Sequence, residues 1–170
     1  MARALGLVPN ARLRALRVPL MPDADYIVAR AAIESARTIA GDDFLFVPTL
    51  VSLMRNRRLK SAARQVLVEY GEAVVAPLAY FMSDQEEDIW VRRHVPEALG
   101  LIPTPSSMAA LISALDAPDG FLRFKAVAAL QRLRRDHPEL AIDRSVIERR
   151  VLREAARAFD TLTLYTNLFV

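Results

Sequence analysis

The chain contains no cysteine, which rules out disulfides, thiol catalysis and thiolate metal sites. Histidine is nearly absent too: His94 and His137 are the only two. With so few imidazoles, neither a nucleophile–base pair nor a histidine-rich metal site has much to build on. Only 5 glycines occur, and no Gly-rich phosphate loop is among their surroundings. No uninterrupted apolar run approaches the roughly 18 residues of a membrane-spanning helix. The opening MARALGLVPNARLRALRVPL does not read as a signal peptide, because its arginines interrupt the apolar run instead of preceding it.

What is present is apolar and helix-forming. Hydrophobic residues make up 53% of 170 residues, with Ala, Leu and Val prominent. That is enough chain and apolar mass for one domain with a core. Small Ala side chains suit helices that pack closely. The net charge is only +3, which by itself does not imply nucleic acid. The charge is uneven, however. Arg3, Arg12, Arg14 and Arg17 precede the first acid, Asp23. Arg55, Arg57, Arg58, Lys60 and Arg64 form a second basic cluster, and Asp84, Glu86, Glu87 and Asp88 form an acidic one.

A cadence organises the rest. LKSAARQVLVEYGE (59–72), WVRRHVPEALGLIP (90–103) and FLRFKAVAALQRLR (121–134) align on a basic residue near the start. Lys60, Arg92 and Arg123 stand 32 and 31 residues apart. A second apolar segment follows the first two of these, VVAPLAYFM (74–82) and SMAALISAL (107–115). Self-similarity at such a period predicts stacked helix pairs. A degenerate first cycle precedes them: a helix over 24–41, capped by Asp23 or Asp25, followed by FVPTLVSLM (46–54). Gly41, Gly71 and Gly100 stand where the first helices end, which predicts left-handed terminating conformations. Pro48 and Pro77 fall near the starts of second helices, where a missing N–H costs little. Pro96 falls inside a first helix and predicts a kink or a broken hydrogen-bond ladder.

The ends differ from the middle. Residues 1–22, broken by Pro9, Pro19 and Pro22, read as a basic linker or arm. Residues 23–142 read as the repeats, with RDHPELAID (135–143) as a loop. Residues 143–170 read as a long helix that caps the stack, with Ser145 and Glu148 as a capping box, and an apolar tail from Thr161 that folds back or meets something else.

DIWVRRHVPEALGLIPTPSSMAALISALDAPDGFLRFKAVAALQRL resembles the HEAT-repeat family in its short bacterial form, similar to phycobilisome-lyase-like repeats. The resemblance covers about 23–142 and is strongest from 59 to 134. Arg92 and Arg123 match the family's repeated arginine, Lys60 substitutes for it, and Ala29 departs from it. The resemblance implies an all-α fold, a right-handed α-α superhelix (HEAT/armadillo-like solenoid) of about four helix pairs. It implies non-catalytic protein–protein interaction or scaffolding in the cytoplasm, with no cofactor. The repeats together with LREAARAFDTLTLYTNLF are also similar to cytosolic tails of some bacterial membrane transporters. That implies a regulatory domain of, or partner to, such a transporter at the inner face of the membrane, with residues 1–22 on anionic lipid. A third implication is a HEAT-like enzyme, phycobilin-lyase-like or DNA-acting.

Individual residues favour the binding module. The repeated arginines read as fastenings that pair with acids in nearby turns, such as Asp84, Asp88, Asp116 and Asp119. The basic cluster Arg55, Arg57, Arg58, Lys60 and Arg64 is a candidate phosphate or lipid patch, but no aromatic residue lies within it for base stacking, so nucleic acid is not expected. His94 and Glu97 share a helical face, yet a metal site needs at least a third ligand. The family's iron-binding hydroxylases use His-Glu dipeptides, and this chain has none. Tyr80, Phe81, Trp90, Phe121 and Phe124 read mostly as core, with Tyr80 partly facing the inner surface. Second helices line that surface in HEAT solenoids, which makes Tyr80, Gln85, Met108 and Ser113 candidate groove residues. A convergent pocket holding His94, Glu97 and another ionisable group would argue against a scaffold.

Overall fold

The computed structural model describes residues 15–37, 44–140 and 143–169, and every regular element among them is helical. The chain forms two compact units, Met1–Pro138 and Glu139–Val170. In the first, a 3₁₀ turn (Ala15–Leu20) leads to α1 (Tyr26–Arg37). A second 3₁₀ turn (Phe44–Phe46) runs into α2 (Val47–Leu53), and α3 (Lys60–Glu69) follows. The 3₁₀ segment Gly71–Val74 continues as α4 (Val75–Ser83), and then come α5 (Ile89–Leu99), α6 (Pro105–Ala114) and α7 (Gly120–Asp136).

Two rows result. First helices α1, α3, α5 and α7 pack each on the next, and second helices α2, α4 and α6 form the other row. Each second helix also packs on the first helix of the following repeat. Among the described residues of this unit there are thus three complete pairs and a fourth first helix. The core runs along the seam between the rows through Leu50, Leu67, Leu78, Val95, Leu111 and Leu122, all fully or almost fully buried. Each such side chain contributes roughly 1.5–3 kcal/mol.

Local chemistry fixes where the helices start. The Asp25 carboxylate accepts from the Ile27 N–H at 2.8 Å, so Asp25 and not Asp23 caps α1. Asp88 accepts from the Trp90 N–H at 2.8 Å and Asp119 from the Leu122 N–H at 2.6 Å, capping α5 and α7. Thr104 accepts from the Ser107 N–H at 3.2 Å, with Pro105 opening α6. The acidic turns between repeats therefore satisfy first-turn donors that have no partner within the helix.

The three glycines expected to end first helices have separate outcomes. Gly71 takes φ +60°, and the chain bends there by 119° between α3 and the following helix. A side chain would strain that backbone. Gly100 is right-handed, with φ −68° and ψ −2°, contrary to expectation. Its reason is close approach, because an added Cβ would stand 2.9 Å from the Ala129 Cβ on α7. Gly41 lies outside the described residues. Pro96 does not end α5, which runs from Ile89 to Leu99. Burial of Pro96, with Val95 and Ala98, compensates for the hydrogen bond its ring cannot make.

Part of the expected arm also packs. Arg17 is 1% exposed and Met21 fully buried; the Arg17 Nη1 donates to the Ser35 carbonyl of α1 at 3.5 Å. The aliphatic stem of Arg17 lets a charged residue cover apolar surface. Residues 1–14 lie outside the described residues.

The second unit, taken by itself, is one 26-residue helix, α8 (Arg144–Phe169). Its cap is Asp143, which accepts from the Ser145 N–H at 2.9 Å, and Glu148 pairs with Arg144 instead of closing a capping box. The segment from Thr161 is not a separate tail but part of the same helix. Thr161, Thr163 and Thr166 each donate to the carbonyl four residues earlier at 2.9 Å, and the helix continues to Phe169.

Candidate functional site

Small side chains on the second-helix row leave room where α4 and α6 end. There a groove of about 510 Å³ lies between α4, α6 and the starts of α5 and α7. Ala79 and Met82 of α4, Ala110 and Ala114 of α6, and Leu122 of α7 give it apolar walls. Tyr80, Gln85, Ser113 and Asp116 also line it and add hydroxyl, amide and carboxylate chemistry. Tyr80 is 65% exposed and meets Phe81 edge-on, the ring centroids being 5.9 Å apart.

Arg92 lines the same groove from its α5 side, only 5% exposed. Its Nε donates to the Met82 carbonyl at 3.1 Å and its Nη1 to the Gln85 Oε1 at 3.2 Å. The equivalent Arg123 donates through Nη1 to the Ala117 and Pro118 carbonyls at 2.8 and 3.0 Å. The repeated arginine thus ties down the carbonyls of the preceding inter-repeat turn. Of the turn acids expected to pair with it, Asp88 and Asp119 are bonded instead to Arg55 and Arg93. A guanidinium offers five donors in a rigid fork, which suits a turn with several unmatched carbonyls.

Of the groove residues read from sequence, the structure brings Tyr80, Gln85 and Ser113 together. Met108 is not with them: it is 4% exposed, on the buried face of α6 with Leu111. The pattern of α6 is apolar nearly all round, so sequence alone does not separate its buried from its open face. Arg92 and Asp116 were not among the sequence-read groove residues. Arg92's place in the repeat was visible as a recurring residue, but not which cavity it borders.

The basic cluster is distributed over several contacts. Arg55 pairs with Asp88 at 3.2 Å, Arg58 stacks over the Tyr26 ring at 4.6 Å, and Arg64 pairs with Glu97. Arg57 is exposed in the turn and Lys60 half-buried at the start of α3.

His94 and Glu97 do come together with other ionisable groups, on the first-helix row. Glu97 of α5 lies between Arg64 of α3 and Lys125 of α7, with Lys125 Nζ at 2.7 Å from one oxygen and Arg64 on the other. Burial pushes the Glu97 carboxyl up, but the Lys125 hydrogen bond and the charges of Lys125, Arg64 and His94 outweigh it and hold it below the usual range. His94 Nδ1 is 3.9 Å from the nearer oxygen, too far for a hydrogen bond. Burial, with help from nearby Lys60, lowers the His94 pKa. An acid held ionised by two cations is poorly matched to proton transfer near neutral pH. Among the described residues, no three His, Asp or Glu side chains gather as metal ligands.

The aromatics expected in the core are mostly outside it. Trp90, Phe121 and Phe124 are 56%, 47% and 63% exposed. Arg93 lies 5.2 Å from the ring centres of both Trp90 and Phe121, and its guanidinium grips Asp119 with two bonds, at 3.2 and 2.5 Å. Aromatic bulk reads as core in a helical pattern, yet here cation–π stacking gives the rings a partner at the surface.

The profile of HEAT repeats matches residues 47–131, from the start of α2 into α7. The chain belongs to the HEAT-repeat family. HEAT repeats commonly serve as interaction scaffolds, and the two rows of helices here are that architecture. No curated relative matches closely enough to lend a specific function.

Proposed function

We propose that this HEAT-repeat protein is a non-catalytic binding module that receives a polypeptide segment in the groove between α4 and α6. The observation that carries the reading is the groove itself: about 510 Å³, apolar walls, and Gln85, Ser113 and Asp116 along it. That volume is within the range of ligand sites, roughly 300–1,000 Å³, and admits a few side chains. The Ser113 hydroxyl can donate to and accept from a peptide backbone, and the Gln85 amide, held by Arg92 and by the Ser83 carbonyl at 3.1 Å, presents a fixed polar edge beside it. Tyr80, exposed beside them, is the residue type that anchors protein interfaces. The Glu97 cluster supports the non-catalytic part, since its carboxylate is already committed to two cations.

The test is a peptide-library selection on the 170-residue chain, with selected peptides then measured against Ser113→Trp and Tyr80→Ala. Ser113 is exposed, so the larger ring fills the groove without entering the core. Selected peptides are expected to lose at least about tenfold in affinity on Ser113→Trp, with unchanged thermal unfolding. Peptides that bind wild type and both variants equally, or a selection that yields none, would overturn the reading.

A further inference from the structure

We propose that α8 is a membrane-surface helix that lies on anionic lipid, its apolar face in the headgroup boundary and its arginines on the other face. With 3.6 residues per turn, Val151, Leu152, Phe159, Leu162, Tyr165 and Phe169 fall on one side of the helix, spread over roughly 140° of its circumference. All six are exposed, Leu152 at 70% and Phe159 at 74%. Arg149, Arg150, Arg153 and Arg157 fall on the opposite side, joined beyond Asp160 by the exposed Leu164 and Leu168, while Arg144 and Glu148 precede the apolar face on its own side.

The width of the apolar face bears on what covers it. A helix paired with a second copy in a two-stranded seam needs only a narrow stripe, while a broad apolar face over residues 151–160 that gives way to apolar residues on all sides from Thr161 suits the boundary between water and an apolar medium. Small Ala155 and Ala158 in the middle of the face leave the bulk at Val151–Leu152 and Leu162–Phe169, which suits contact with deformable acyl chains.

Charge points the same way. Between Arg144 and Asp160, five arginines stand against Glu148, Glu154 and Asp160, a balance of +2 that complements an anionic surface. From Thr161 to Phe169 the helix carries no charge, so its last two turns can sink deeper than its first. There the Tyr165 and Phe169 rings meet at a tilt with centres 4.6 Å apart, and tyrosine places a hydroxyl at headgroup level. No single helix among the described residues is long and apolar enough to cross a membrane, so α8 would lie on the surface.

The test is co-sedimentation of the 170-residue chain with phosphatidylcholine vesicles, with and without phosphatidylglycerol, at low and high salt. Two variants locate the contact: R149E/R153E/R157E reverses the polar face, and L152D/F159D breaks the apolar one. Wild type is expected to sediment with the anionic vesicles at low salt and to be released by high salt. The charge reversal is expected to weaken binding roughly a hundredfold and the aspartates to abolish it, with thermal unfolding unchanged. Failure to sediment with anionic vesicles would overturn the proposal. So would binding retained by both variants, which would move the contact elsewhere, such as to residues 1–22. A wild-type dimer in light scattering that L152D/F159D turns into a monomer would make a second copy the occupant and also overturn it.

Discussion

Gly100 of α5 and Ala129 of α7 meet so closely that a Cβ on Gly100 would lie 2.9 Å from the Ala129 Cβ, 3.1 Å from its Cα and 3.2 Å from the Pro96 carbonyl oxygen. Two of these three neighbours are backbone atoms, which cannot swing aside. The distance between the last two first helices is therefore set by the absence of a side chain.

Gly100→Ala is accordingly expected to destabilise the protein, by about 1–3 kcal/mol from overpacking. At a right-handed position with room, the same substitution would stabilise by about 0.4–1 kcal/mol. The sign of the change in urea denaturation decides between the two. Ala129→Gly in the same chain should recover part of the loss, as a double-mutant cycle would show.

Arg92 holds the turn that follows α4 while almost fully buried. Arg92→Met keeps much of the stem but leaves the Met82 carbonyl and the Gln85 amide without their donor. A loss of about 2–3 kcal/mol is expected in denaturant unfolding, as for a hydrogen-bonded charged group. Arg92→Lys should recover only part of it, since an ammonium lacks the fork that reaches both acceptors.

Glu97 gives the protein an acid-sensitive fastening. Its carboxyl is held below the ordinary value of 4.5, so the native state binds its proton less readily than the unfolded chain. Its stabilising contribution is present above pH 4.5 and is lost as pH falls through the depressed native value. Glu97→Gln should therefore cost stability at neutral pH, on the order of 1 kcal/mol for partly exposed pairs. The gap between wild type and variant should close on acidification below that range. Thermal unfolding followed from neutral to acidic pH checks this, and a gap that stays constant would exclude it.

The repeat was legible because helix packing imposes its period on the sequence. Lys60 stands at the start of α3 and Arg92 and Arg123 in the first turns of α5 and α7, so they recur with the first helices, and the alternation of first and second helices followed from apolar runs between polar turns. What stayed hidden depended on contacts between repeats. Met108 and Ser113 stand on one short helix whose composition is apolar on most sides, and only the neighbours on either side make one buried and the other open. Trp90 and Phe121 have the composition of core residues, but Arg93 between them satisfies the rings at the surface. Gly100 carries a terminator's signature and owes its identity to a side chain 29 positions away. The groove was legible as a choice of helices; its depth was not, because it depends on how many small residues from different repeats coincide.

The ion pairs between repeats also have an order. Arg37 pairs with Glu69, Arg55 with Asp88, Arg64 with Glu97 and Arg93 with Asp119, and in each the cation belongs to the earlier repeat and the anion to the later. Lys125 with Glu97 runs the other way. Apolar packing alone does little to tell one end of a repeat from the other, but this charge order gives the stack a direction. In these four pairs each repeat is basic toward its successor and acidic toward its predecessor, so electrostatics favours one head-to-tail polarity, and an inverted repeat would meet its neighbours with like charges opposed.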